Sequence, residues 1–281
     1  MWLVFALLAG ALYTGQGLVT RHILRGQKDA WAFSFYFSLI GAIVSAPFML
    51  VAPKVPTDWA PWVLTLLVGL LIVGQNLLNF KSANYLEASL SGAITKFRLV
   101  WVFVLSVLIL QSGFSWQKLF GTLLAVGAGL VIIHRFKRPK SFTGVALAFS
   151  ATIFYAIVII LYKYLLGSFN AASLTFFVTF LPAVVLNFVL MPHALSRIRK
   201  LFREDGRIVT IACGLGALAN LALNQGLALG EANSVLVIAE AFLIVTLVGE
   251  HMFLKEREQL WVKIAAVVLA TAGAILIRLS N

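Results

Sequence analysis

The chain is a near-continuous series of apolar stretches, each about as long as a bilayer is thick. A spanning helix needs roughly 20 mostly apolar residues to cross about 30 Å of hydrocarbon. That ruler predicts ten spans, at about 2–20, 32–52, 60–80, 86–109, 116–133, 143–164, 171–191, 207–228, 232–253 and 260–278. Apolar residues fill 61% of the 281 positions and charged residues only 11%, against about 25% charged in an ordinary soluble domain. The solvent for such a surface is lipid. In lipid the backbone must satisfy its own polar groups, which leaves closed barrels or helices; spans of this length predict an all-α integral membrane protein. Residues 1–10 run straight into apolar sequence and are expected as the first span, not as a removable signal peptide.

Internal repetition organises the spans. Very tight connections at 82–88 and 229–233 follow spans three and eight. Shifting the chain by 144 residues aligns 87–133 with 231–277 without a gap, placing Glu87 on Glu231, Ala88 on Ala232, Ile94 on Ile238, Leu99 on Leu243 and Gly129 on Gly273. At nearly the same offset Tyr13 and Arg21 fall on Tyr155 and Lys163, and Asn76 falls on Asn220. The expectation is two five-helix repeats, 1–138 and 139–281, integrated into one transmembrane unit. Five is odd, so the second repeat enters the membrane inverted, an arrangement characteristic of secondary transporters that bind substrate near the midplane.

The segment from Leu254 to Ile277 carries a family signature. Glu256 and Arg257 precede a helix that ends near Gly273, and Lys255 stands where a glycine is usual. The first-half counterpart, 110–115, lacks the Glu-Arg pair but leads into the glycine-bearing stretch 121–129; Tyr13, Thr14 and Gly15 stand where a Trp-Gly is usual in span one. With the repeat and the helix count, these features resemble the drug/metabolite transporter superfamily, in its ten-helix EamA-like branch, over essentially the whole chain. The resemblance implies transport of small organic metabolites (amino acids, nucleotide sugars and drugs among them), export as the direction, and cytoplasmic termini.

Charge gives a different orientation. The net charge of +12 does not point to nucleic acid, because the cations sit in short segments between apolar runs, where they meet anionic lipid headgroups. Lys54, Lys118, Lys163 and Arg278 belong to the face that carries the termini. Fifteen cations belong to the other: Arg21, Arg25, Lys28, Arg135, Lys137, Arg138, Lys140, Arg197, Arg199, Lys200, Arg203, Arg207, Lys255, Arg257 and Lys263. Lys and Arg collect in cytoplasmic loops, so the bias predicts both termini outside the cell, in a prokaryotic inner membrane.

No soluble domain fits in any loop; the longest, His193 to Gly206, is expected to form at most a short interfacial helix. Function therefore resides inside the bundle. Lys96 and Glu240 lie nine residues into spans four and nine, about 13 Å deep at 1.5 Å per residue, in equivalent repeat positions with opposite charge. Charge at that depth requires a partner or a wet cavity. Two readings stay open: an ion pair joining the spans, or a cavity lining in which Lys96 meets an anionic group and Glu240 a cationic group or a proton. Arg98 is roughly 200° from Lys96 on an ideal helix, which predicts pairing with a neighbouring helix in preference to substrate contact.

Polar residues share helix faces elsewhere. Gln75, Asn79 and Ser82, with Asn76 adjoining, lie on span three; Asn220 and Asn224 on span eight; Tyr13, Gln16 and Thr20 on span one. They are expected either as interhelical hydrogen bonds or as a polar pathway. His22, His134, His193 and His251 lie at span ends and predict no metal site, Glu250 reads as an interfacial carboxylate, and the single Cys213 reads as a packing residue. No nucleophile–base pair or phosphate-binding loop predicts an enzyme, and no cofactor is expected. The leading expectation is a gradient-driven exporter of amino acids or similar amphiphilic, zwitterionic solutes, with possible proton or sodium coupling, as a monomer or homodimer. A lipid-carrier flippase or a non-transporting scaffold is the alternative.

Overall fold

The computed structural model describes residues 1–24, 29–83, 85–86, 88–133, 141–185, 191, 193–241 and 260–279. Among these the regular structure is helical: α1 Trp2–Leu24, α2 Ala30–Val51, α3 Trp59–Ala83, α4 Ala88–Thr95, α5 Arg98–Leu108, α6 Trp116–Ile133, α7 Phe142–Leu165, α8 Ala171–Val185, α9 Ala194–Leu229, α10 Ala232–Ala241 and α11 Leu260–Leu279. Ala30–Val51, Trp59–Ser82, Phe142–Leu165 and Ala194–Leu229 are each long and apolar enough to cross a membrane. Large apolar side chains such as Ile43, Phe48, Leu67, Phe120, Leu123 and Ile211 lie on the outside. A soluble protein would bury such groups; lipid stabilises them where they are.

One sequence expectation changes. Span four is not one helix but α4 and α5, separated at Lys96 and Phe97. Here the amides of Phe97, Leu99 and Val100 donate to the carbonyls of Ile94, Lys96 and Phe97, each three residues back, so the chain tightens into a 3₁₀ turn. These bonds carry the chain across the break, and the Trp101 amide returns to the carbonyl of Phe97, four residues back. The segment 193–206 holds the short helix the sequence allowed, from Ala194 to the kink at Asp205. It is the first part of α9, joined to the spanning part through Asp205, whose φ of −139° and ψ of 19° interrupt the helix. Its amphipathic sequence explains it: Ala194 and Leu201 are buried, while Arg199, Lys200 and Arg203 remain outside the core.

Span one packs on span eight. Trp2 lies against Gly230 and Gln16 against Gly216, and Tyr13 reaches Asn220, so α1 and α9 run antiparallel. Buried Ala6, Ala9, Ala219 and Ala222 allow close approach, the usual solution where lipid gives helices no hydrophobic reason to associate. The other interfaces fall into matched pairs. Exchanging α1 with α7, α2 with α8 and α3 with α9 turns the α1–α9 interface into α3–α7 and the α2–α9 interface into α3–α8; all four exist, and α2–α8 and α6–α11 map onto themselves. At the α6–α11 crossing a methyl group on Gly121 would meet the Gly273 carbonyl oxygen at 2.7 Å, and one on Gly273 the Gly121 carbonyl oxygen at 2.5 Å. The two backbones touch there.

Candidate functional site

The centre of the bundle holds a three-residue charge cluster. Lys96 projects from the 3₁₀ turn, Arg98 opens α5, and Glu240 lies at the end of α10. Lys96 Nζ donates to Glu240 Oε2, and Arg98 Nη2 to Glu240 Oε1. The Lys96 and Glu240 side chains are only 11% and 12% exposed, so the attraction is little screened. The sequence reading that kept Lys96 and Arg98 apart is corrected in part. Arg98 does pair with a neighbouring helix, but on the same carboxylate as Lys96. In an α-helix the two positions lie about 160° apart; a 3₁₀ turn at three residues per turn brings them to about 120°, and two long side chains close the rest.

One aromatic ring touches the cluster, and others meet beside it on α5 and α7. The Arg98 guanidinium lies 4.4 Å from the centre of the Tyr155 ring, a cation–π contact. Phe97 and Trp101 both meet Phe149 edge-on, with centroids 6.0 Å apart in each case. Arg98 Nε and Trp101 Nε1 are buried with no hydrogen-bond partner among the described residues. Tyr155 was legible in the sequence only as the repeat mate of Tyr13. Nothing in the sequence pointed to Trp101 or Phe149, because apolar aromatics are unremarkable in a span.

Of the remaining expected residues, Tyr13 Oη donates to Asn220 Oδ1 at 2.7 Å, and Asn224 Nδ2 to Thr175 Oγ1 at 2.8 Å. Gln16 packs on Gly216. Asn76 is buried, and its Nδ2 has no partner among the described residues. Gln75 and Asn79 are half-buried, and no described contact brings them to the charge cluster. The repeats therefore differ in use. Tyr13 holds Asn220, whereas Tyr155, the mate of Tyr13, carries Arg98 on its face, and Asn76, the mate of Asn220, keeps an open donor.

A second polar group binds the α9–α10 turn. Lys118 Nζ lies 2.5 Å from Glu231 Oε2, and Lys163 Nζ donates to the carbonyls of Leu227 at 2.6 Å and Gly230 at 2.9 Å. Thr122 and Asn233 hydrogen-bond beside it. Lys163 thus caps the C-terminal carbonyls of α9, where a cation opposes the helix dipole. Among the described residues no group of three His, Cys, Asp or Glu side chains could hold a metal ion. Glu87, Glu250, the side chains of His22, His134 and His251, and the pair Glu256 and Arg257 lie outside the described residues.

A family model described as the EamA-like transporter family matches residues 1–134 and again 142–279. The chain belongs to the EamA-like transporter family. Membership makes it an integral membrane transporter of small solutes, and the family model matches it twice along the chain. No curated protein gives a significant sequence match. Solved structures match by fold: one described as "Crystal structure of protein" superposes with a TM-score of 0.77 at 14% identity, covering 99% of this chain and 96% of its own. At that identity the likeness establishes the shared fold.

Proposed function

We propose that this EamA-like chain is a gradient-driven carrier of amphiphilic organic solutes, amino acids among the candidates, moving them by alternating access out of the cell. The observation that carries the reading is Glu240. One buried carboxylate is held by cations from the other half of the chain, at the repeat-equivalent position and beside a break in a spanning helix. Such breaks and ionisable groups mark binding sites in carriers built from repeats. The matched interfaces support two halves, 1–138 and 139–281, inverted in the membrane and rocking about α2–α8 and α6–α11. Tyr13, Asn220, Asn224 and Asn76 would line the path next to the cluster.

Liposomes containing only this chain test the proposal. With a metabolite panel and imposed proton or sodium gradients, at least one solute is expected to cross without ATP. Transport that appears only with ATP, and with its hydrolysis by this chain, refutes the reading.

A further inference from the structure

We propose that the cluster around Glu240 accepts one carboxylate of an organic anion whose body is aromatic or similarly flat and apolar, an inference that rests on the cluster being the substrate site. Charge is the first argument. The ion pairs of the cluster contain two cations, Lys96 and Arg98, and a single carboxylate among the described residues. A carboxylate is attracted to two neighbouring cations, and an amine is repelled by them.

Hydrogen bonding gives the same answer independently. Arg98 Nε and Trp101 Nε1 are donors only, and both are buried without a partner among the described residues. Trp101 follows Arg98 by three positions on α5, so the two occupy one helix face. The missing group is an acceptor, and a carboxylate satisfies both the charge and the two donors. Glu240 offers little to a substrate ammonium, because each of its oxygens already carries a charged donor. The zwitterion expected from the sequence is thereby revised: the cluster reads the acidic end. Tyr155 on the Arg98 guanidinium, and the ring of Trp101 one turn along α5, offer the aromatic surface for the substrate body. Because both donor atoms are covered in this conformation, binding requires α5 to shift against α7 or α10, a motion that alternating access already demands.

The test uses the purified full chain in lipid nanodiscs with four probes of one shape: 3-phenylpropionate, 3-phenylpropionamide, 2-phenylethylamine and phenylalanine. Thermal stabilisation and tryptophan fluorescence read binding. The anion is expected to bind at least tenfold more tightly than any of the others. Trp101→Phe, which keeps the ring and removes the donor, should weaken it about 3–10-fold, and Arg98→Lys, which keeps the charge, at least tenfold, with the unliganded melting temperature of both variants unchanged. Phenylalanine binding as tightly as the anion overturns the proposal, as does anion binding indifferent to both variants, or no binding by any probe. Reconstituted transport separates the two levels. If some solute is carried and Glu240→Gln abolishes its transport while the anion does not bind, the site stands and the substrate class falls. If transport survives substitution of both Lys96 and Glu240, the site itself falls.

Discussion

Glu240 accepts from Lys96 and Arg98 together, so loss of either cation leaves the carboxylate one partner and loss of both leaves it none. Lys96→Met and Arg98→Met are each expected to cost about 1 kcal/mol, whereas the double variant should cost about 3–5 kcal/mol, the range for an uncompensated buried charge. The excess over additivity is the signature of a shared partner, and thermal unfolding of the four proteins in detergent reads it. The Lys96→Glu, Glu240→Lys exchange should remain folded and lose transport more than tenfold, because substrate then meets inverted charge; near-normal transport by the exchange would make the cluster purely structural. A second residue-scale test lies at the membrane surface. Asp29 caps α2 by accepting from the amides of Trp31 and Ala32 and pairs with Arg197, whose Nη2 lies 2.6 Å away. Burial pushes the Asp29 carboxyl up, but the Arg197 and amide hydrogen bonds outweigh it and hold the group below its ordinary value. A lowered folded-state value means that this stabilisation is complete above the ordinary carboxylate range, near pH 4, and is lost as pH falls through the folded value. Asp29→Ala should cost about 1 kcal/mol at pH 7, and its deficit relative to wild type should shrink below pH 4, as measured by melting temperature against pH.

Among the elements, most of the helices were legible because lipid allows a simple rule: apolar length makes a span. The rule is blind to anything that keeps the apolar count. It could not find the break at Lys96 and Phe97, since no glycine or proline stands there and hydrogen bonds to carbonyls three residues back carry the chain across it. The short helix at the start of α9 was expected, but that it continues through a kink at Asp205 into the spanning part was not, because a half-apolar, cation-rich segment does not show how it joins its neighbour. Helix crossings are another matter of contact. Gly121 and Gly273 are where the α6 and α11 backbones meet, whereas a methyl group on Gly127 would have nothing within 4 Å. Gly273→Ala is therefore expected to cost about 1–3 kcal/mol by overpacking, with Gly127→Ala neutral or stabilising. Parallel thermal scans of the two variants decide it, and equal stability would place no constraint on the crossing.

At the scale of the whole molecule the open question is which way up the bundle sits. The cation bias argues for external termini. The four cations assigned to that face each have internal partners: Lys54 donates to the Gly167 carbonyl, Lys118 pairs with Glu231, Lys163 caps α9, and Arg278 lies 5.9 Å from the centre of the Trp2 ring. Cations with a structural use on a face that otherwise avoids them fit the rule that Lys and Arg gather in the cytoplasm. Single cysteines at Met1 and Asn281, in a Cys213→Ala background, should label with an impermeant maleimide in intact cells. Labelling only after permeabilisation would reverse the orientation and favour the family habit.

The sequence alone determined the lipid solvent, the helical class, the repeat and the two opposite charges at matching depth. Each of these is a property of composition or of spacing along the chain, and apolar length and burial depth are linear in residue number. Tertiary structure decided that Arg98 joins Lys96 on one carboxylate, that Tyr155 and Trp101 belong beside them, and that Tyr13 and Tyr155 serve different ends. Those facts depend on a local change of helical pitch and on which faces of distant helices meet, and neither is encoded in the spacing of apolar residues.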